Sequence, residues 1–315
     1  MTLRDKIIYI LEKNRGKHVS GQEIADTFGV SRSAVAKCVA QLKSEGYAID
    51  SVNNSGHRLL DNCDILSSAA ISAYIDGECE IEVFKEIDST NTQAKRVLAN
   101  GSRSDMIFAA EKQTEGRGRR GKSFYSPEGK GLYFSVVLNL DIPLIDATLI
   151  TAASAVAVAD SIREATKKDP KIKWVNDIFI DNKKVCGILT EAISDFESGQ
   201  MQSVIIGIGI NLTTEYFPDE LIGIAGSIGQ SLNRCKMIAD IYKKLKTVCN
   251  NLNDHRFMDD YRKYSLVIGR NISFTRNGTD YVAFAESITD KGELTVKLEN
   301  GESLVLNSGE ISIKL

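Results

Sequence analysis

No helix can begin at Lys122, and that single fact settles how the most suggestive stretch of this chain is read. The run EGRGRRGKSFYSPEGKG, Glu115 to Gly131, satisfies two phosphate-loop spellings at once: Gly116, Gly118 and Gly121 give G-x-G-x-x-G, while Gly116, Gly121, Lys122 and Ser123 give G-x-x-x-x-G-K-S. Both motifs depend on a helix behind the glycines that aims free N–H groups and a dipole at phosphate. Here Pro127 pushes Ser126 toward extended geometry, and Gly129 and Gly131 follow before a β-rich run starts at Leu132. Asp141 has the spacing of a ribose-binding or Mg-binding acid, but on a strand reached without a crossover. Both matches are coincidental.

What the run does carry is Arg117, Arg119, Arg120 and Lys122, four cations in six residues. Their mutual repulsion predicts a loop that stays open until an anion arrives. Guanidinium forks match phosphate oxygens, and each charge-assisted bond contributes about 1.5 to 3 kcal/mol. The intervening glycines are expected to let the backbone approach a ligand closely. A solvated basic loop, or a second contact to DNA, would carry the same charges.

The 315-residue chain has a net charge of −3, yet its first 60 residues hold nine Lys+Arg against six Asp+Glu. Such an excess matters only if a fold presents it. Ile7, Ile10 and Leu11 share one helical face. Ser20 and Glu23 spell a capping box for a second helix that ends at Gly29. Ser31 caps a third helix, with the buried stripe Val35, Val39 and Leu42, that ends at Gly46. This is helix-turn-helix spacing, and it turns Ser31, Arg32, Ser33, Lys37 and Gln41 toward a major groove. YAIDSV, NNSG and HRLL then predict a wing with Arg58 near its tip. A protein-contact module would use the same face.

The polar DNCD at Asp61 to Asp64 closes this segment. Strand signals follow at 81–87, 105–110, 132–140, 173–180, 184–192 and 202–210, with helices near 90–99, 146–167 and 235–253. Hairpin turns at Asp181 to Lys183 and Glu197 to Gln200 imply antiparallel neighbours, which disfavours a doubly wound parallel sheet and favours a mixed one. Beyond Ile268 the pieces NISFTR, YVAFAESI, LTVKLE and ESLVLN, with turns between them, suggest a small barrel of about 45 residues. The expected domains are 1–64, 65–265 and 266–315.

Six cysteines stand far apart without a C-x-x-C pair, and the three histidines do not cluster, so zinc and a disulfide framework are not expected. The apolar stretch Ala147 to Ala159 is about half the length a bilayer requires, and the N-terminus lacks an apolar signal segment. The expectation is a cytoplasmic protein with no membrane partner.

Two further stretches carry chemistry. In KWVNDIFIDNKKVCGILTE a hairpin pairs 174–180 with 184–191 and turns Lys184 toward the face of Asn176 or Asp177, a candidate cation near developing negative charge. A surface lysine in an ordinary ion pair fits the same pattern. In IDSTNTQAK, Asp88 or Ser89 caps a helix whose positive end offers Ser89, Thr90 and Asn91 to a small polar group.

DSTN, EKQTEGRGRRG, KWVND with K-x-x-G-I-L-x-E, and GIGIN, in that order, resemble the biotin–protein ligases. With a winged helix in front, the whole chain resembles the bifunctional ligases that also repress the biotin operon. The resemblance implies an α+β multidomain fold: a winged helix-turn-helix, a central mixed-sheet domain like that of class II synthetases and biotin ligases, and an SH3-like C-terminal barrel. It implies that biotin and MgATP give biotinyl-5′-AMP, which is both intermediate and corepressor. A lysine of the biotin carboxyl carrier protein domain of acetyl-CoA carboxylase, or of a similar carboxylase, then takes the biotin. Carried over by position, Ser89, Thr90, Asn91, Gln113, Arg117, Gly118, Arg119 and Lys184 bind biotin. Arg117, Arg119, Arg120, Lys122, Asn176 and Asn211 bind ATP or the adenylate. Lys184, Arg119 and Asp177 are catalytic, with Asp177 also the candidate Mg²⁺ ligand. Residues 213–226 would cover the adenylate, and a sheet edge at SDFESGQ would pair two adenylate-loaded copies on operator DNA. The sequence departs from the family in having Phe124 in place of Trp and Val175 in place of Pro, so loop packing is expected to differ. A biotin sensor without transferase activity and a lipoate–protein ligase are the rival readings.

Overall fold

The computed structural model describes residues 1–313 apart from 103, 141, 144–146, 195–199 and 308. The hairpin turn expected at 197–200, the sheet edge expected at SDFESGQ, and Asp141 fall wholly or mainly outside the described residues. The chain divides into two compact units, Met1–Val83 with Leu232–Asp240, and Phe84–Ser231 with Ile241–Leu315.

In the first unit, α1 (Leu3–Lys13) starts at a complete capping box between Thr2 and Asp5. Its buried face is Ile7, Ile8, Leu11 and Glu12, with Ile10 only half-buried. Buried Glu12 is fully engaged, by Arg15 at 2.7 Å, the Tyr74 hydroxyl at 2.8 Å and the Asn233 amide at 2.9 Å. Burial, together with this carboxylate, pushes the Tyr74 phenol up to about 12. The second helix, α2 (Gly21–Phe28), is capped by Ser20 accepting from the Glu23 N–H and ends at Gly29, φ 65°. Only this half of the expected box forms among the described contacts. Ser31 caps α3 (Arg32–Ser44), which buries Val35, Val39 and Leu42 as its spacing requires.

The wing is a hairpin of β1 (Ile49–Val52) and β2 (Gly56–Leu59). Gly56 has φ 104°, and a Cβ there would lie 2.1 Å from Val19 O, so only glycine allows the wing to dock on that backbone. Arg58 is not at the tip. It stands opposite Asp50, 2.9 Å from its carboxylate, because the turn at 53–55 leaves it two residues down the strand. A short helix, α4 (Ser68–Ser72), follows.

The next elements are β3 (Glu80–Ile87), α5 (Thr90–Ala99), β4 (Met106–Gln113), β5 (Gly131–Leu138), β6 (Ile142–Pro143), α6 (Ala147–Thr166), β7 (Lys171–Lys173), β8 (Asp177–Ile180), β9 (Lys183–Ser194) and β10 (Gln200–Asn211). Then come α7 (Arg234–Asn250) and α8 (Phe257–Lys263). Strands β3 to β10 form one sheet in the order β3-β4-β5-β10-β9-β8-β7, with β6 pairing β10. The ladders from β4 through β7 are antiparallel. Helix α5 packs Ala94 onto Met106, Phe108, Val137 and Ile205, a fully buried cluster that fixes its N-terminus over the sheet. Residues 173–180 are not one strand: β7 and β8 pair with each other, so Trp174–Asn176 must be their turn. The two-residue turn at Asp181 and Asn182, φ 50° and 60°, joins β8 to β9 as the expected hairpin.

After Ile268 come β11 (Asn271–Arg276), β12 (Thr279–Ile288), β13 (Leu294–Leu298), β14 (Ser303–Leu306) and β15 (Ile311–Ile313), an antiparallel sheet in the order β14-β13-β12-β11-β15. No described helix is long and apolar enough to cross a membrane.

Candidate active site

A cavity of about 490 Å³ opens in the second unit beside β9 and β10. Ser89, Thr90, Asn91, Gln113, Arg117, Gly118, Arg119, Lys122, Asn176, Asp177, Lys184 and Asn211 all line it. Arg120 does not appear in its wall.

One end is neutral and polar. Ser89 caps α5, while Asp88 turns away to Arg96. Gln113 Oε1 accepts from the Thr90 N–H at 2.9 Å and its hydroxyl at 3.1 Å, and Gln113 Nε2 donates to Ser126 at 3.0 Å. The buried Ser135 hydroxyl lies 2.7 Å from the Thr90 hydroxyl and 2.6 Å from Asn91 Oδ1. Gly207 makes this possible, since a Cβ there would fall 2.1 Å from Asn91 Oδ1.

The other end is cationic. The loop does not stand open: Arg117 bridges Ser123, the Gly118 N–H donates to Lys122 O at 2.7 Å, and a 3-10 turn spans Arg119–Gly121. Gly116 is required by the loop itself, because a Cβ would sit 2.3 Å from Phe124 O. The close approach expected toward a ligand is there an approach to the loop's own return strand. Lys122 pairs with Glu310 at 2.8 Å, and that carboxyl is held below its usual range chiefly by the lysine. Arg119 reaches Asn176 Oδ1 at 3.2 Å. Burial, then the neighbouring Arg120, lower its pKa, though a guanidinium stays charged at neutral pH.

Lys184 reaches this end through a register shift. Phe179 faces Lys184 but Ile178 faces Cys186, so Val185 is an extra residue in β9. Without the bulge Lys184 would share the face of Ile178 and Ile180; with it, Lys184 joins Asp177, and the two are 2.8 Å apart. Backbone bonds from the Lys184 N–H to Ile224 O and from the Gly226 N–H to Lys184 O tie 224–226 alongside it. Asn211 donates to Gly226 O at 3.0 Å and keeps its buried Oδ1 without a described partner.

Three groups were given no role at the site by the sequence reading. Lys173 lines the cavity opposite Asp177 in the β7–β8 ladder, and burial lowers its pKa. Its place in KWVND was the available signal. Phe124 lies against a glycine pair: Gly187 and Gly209 face each other across β9 and β10, and Cβ atoms there would come within 3.3 and 2.5 Å of the ring. Glu191, outside the wall, holds Asn91 at 2.9 Å and Lys95 at 2.6 Å. It is the closing glutamate of K-x-x-G-I-L-x-E, which was the available signal, but the motif alone gave it no role.

On the face of α3 expected to meet DNA, Arg32, Ser33 and Lys37 are exposed. Ser31 is used by the Ala34 N–H and Ser33, and Gln41 is tied to Glu45 at 3.0 Å.

The Biotin/lipoate A/B protein ligase family model matches residues 83–211, an HTH domain model matches 4–58, and a Biotin protein ligase C terminal domain model matches 267–314. The bifunctional ligase/repressor BirA of Bacillus subtilis is 36% identical over 313 residues, covering 95% of both chains. That of Bacillus spizizenii is 35% identical over the same span and coverage. The chain belongs to the bifunctional biotin–protein ligase/repressor family. Among solved biotin ligases, the Aquifex aeolicus enzyme in complex with biotin and ATP superposes with a TM-score of 0.62 at 26% identity, covering 75% of this chain and 98% of that one. Most of the residues lining the cavity fall within 83–211 and 267–314, the spans matched by the two ligase models, while Phe217, Glu220, Leu221, Ile224 and Ala225 lie between them.

Proposed function

We propose that the chain activates biotin with MgATP to biotinyl-5′-AMP, transfers the biotin to a lysine of a biotin carboxyl carrier protein domain, and, loaded with the adenylate, represses transcription from operator DNA. The observation that supports this best is one cavity with a neutral polar end and a cationic end. Ser89, Thr90, Asn91 and Gln113 suit an uncharged ring with hydrogen-bonding groups. Arg117, Arg119, Lys122 and Lys184 suit a carboxylate meeting a phosphate. In the first step the biotin carboxylate oxygen attacks the α-phosphorus and pyrophosphate departs. Arg119 and Lys184 reduce the repulsion between the two anions and stabilise the charge on the pentacoordinate phosphorus. In the second, the carrier amine attacks the acyl carbon, the C–O bond to phosphate breaks, and AMP leaves. Asn176 holds Arg119 in place, Asn211 offers its unpaired oxygen to the nucleoside, and 213–226 cover it. Arg120 and Lys122 accompany the pyrophosphate from the outer side.

Asp177 does not suit a protein-held Mg²⁺. It is one carboxylate between Lys184 and Lys173, and no cluster of three His, Cys, Asp or Glu able to hold a metal occurs among the described residues. In this reading the metal enters on the nucleotide's phosphates, and Asp177 positions Lys184. We also read the C-terminal sheet as an SH3-like barrel, the central domain as of the class II synthetase kind, the protein as cytoplasmic, and the repressing form as a homodimer that assembles on adenylate binding. Incubation with biotin, ATP and a carrier domain tests the activity: AMP release and carrier labelling are expected. Labelling with lipoate in preference to biotin would replace biotin as the substrate, and adenylate binding without transfer would reduce the protein to a sensor.

A further inference from the structure

We infer that Glu191, which does not line the cavity, selects for a ring bearing N–H donors by fixing the orientation of the Asn91 amide. The inference rests on the biotin reading above and deepens it. Asn91 and Thr90 are almost completely buried, and Ser135 is fully so. An asparagine amide in such a place is defined by its partners, because its two ends differ only in donating and accepting. Glu191 Oε2 lies 2.9 Å from Asn91 Nδ2, and Lys95 Nζ is 2.6 Å from Glu191 Oε1. An ionised carboxylate only accepts, so the NH₂ end must face it. With the amide so fixed, Asn91 Oδ1 faces the Ser135 hydroxyl at 2.6 Å, which can donate to it; the carboxylate, which only accepts, is what sets the orientation. Burial alone would raise the Glu191 pKa, but the hydrogen bonds from Lys95 and Asn91 outweigh it and keep the group ionised.

The consequence is chemical. Asn91 lines the cavity, and its oxygen has one lone pair to spare after Ser135. The site thus shows an acceptor where a ring N–H arrives. A cyclic urea supplies that donor, while the disulfide ring of lipoate has none. A neutral glutamine at 191 presents either end to Asn91, and the preference is lost.

The test is Glu191→Gln, with Lys95→Gln as a milder change at a half-exposed position, each checked for an unchanged melting profile. Adenylate formation is measured by pyrophosphate release with biotin and with the two mono-N-methylated ureido analogues. For Glu191→Gln the expected result is a KM for biotin raised about tenfold, kcat and the KM for ATP near those of the parent, and discrimination between biotin and the affected analogue reduced at least fivefold. Lys95→Gln should move the same quantities in the same direction by a smaller factor. Undiminished discrimination in a folded Glu191→Gln protein, or a loss confined to kcat, would overturn the inference. If the unmodified protein makes no adenylate from biotin, the functional reading itself fails, a result distinct from failure of the Glu191 role.

Discussion

Alanine at Gly209 adds one methyl group to an extended strand whose backbone accepts it, so its effect reports chiefly on the packing of Phe124, whose ring supplies the three nearest atoms. The new Cβ would stand 2.5, 2.6 and 2.9 Å from three atoms of the Phe124 ring. Carbon atoms in ordinary contact are about 3.5–4 Å apart, so the ring must retreat by about 1 Å. Tyr133 meets it edge-on with centroids 6.4 Å apart, and Gly187 lies under its other edge, which leaves the cavity as the direction of escape. Overpacking of this kind costs about 1–3 kcal/mol, and a unit of this size loses about 2–4 °C in Tm per kcal/mol. The displaced ring also narrows the space left for a ligand, so the KM for biotin should rise about tenfold or more. Thermal melting and pyrophosphate-release kinetics read both effects. Phe124→Leu in the same chain removes the clashing ring edge and should restore most of the loss. A Gly209→Ala protein that melts and binds like its parent, or one that Phe124→Leu fails to improve, would show that the glycine pair is not there to seat this ring.

Three further outcomes follow from the same geometry. Arg119→Gly should let biotinyl-AMP escape, seen as indiscriminate lysine labelling of added proteins; tight retention of the adenylate would count against the role given to Arg119. Arg32→Ala and Lys37→Ala should each weaken operator binding and lower its salt slope by about one, whereas Arg58→Ala, already paired with Asp50, should change the slope less in a titration at several salt concentrations. The Glu191 pKa is lowered on folding, so its contribution to stability is present above the unfolded value, near 4.5, and fades as pH falls through the folded one. Glu191→Gln should therefore flatten the acid limb of a Tm-against-pH profile, and parallel profiles would rule the linkage out.

The elements that the chain's local pattern dictates were readable in advance. Ser31 before Val35, Val39 and Leu42 can only start and bury α3 as observed, and Pro127 does keep Lys122–Lys130 out of a helix. What escaped was set by strand pairing and register, which composition and spacing do not carry. The split of KWVNDIFI depends on β7 finding β8, and a three-residue strand such as β15 carries no period. The bulge at Val185, which brings Lys184 to Asp177, is invisible in composition, because one extra residue alters register and not polarity. The glycines of GIGIN were legible only as part of a motif, without a role for either. In the structure Gly207 clears space for Asn91 and Gly209 for Phe124, contacts that join β10 to α5 and to the basic loop. Arg58 was misplaced because the turn's length, not its composition, decides which wing residue is outermost.

In the proposed mechanism, cations from the basic loop and from β9 meet over one phosphorus. Single-turnover incubation of the carrier-free protein with biotin and α-labelled ATP tests it most directly. About one equivalent of protein-bound biotinyl-AMP and of released pyrophosphate per chain is expected, with a rate at least about 100-fold slower for Lys184→Met, as when a transition-state charge partner is removed. Adenylate formation at the parent rate in Lys184→Met would contradict it.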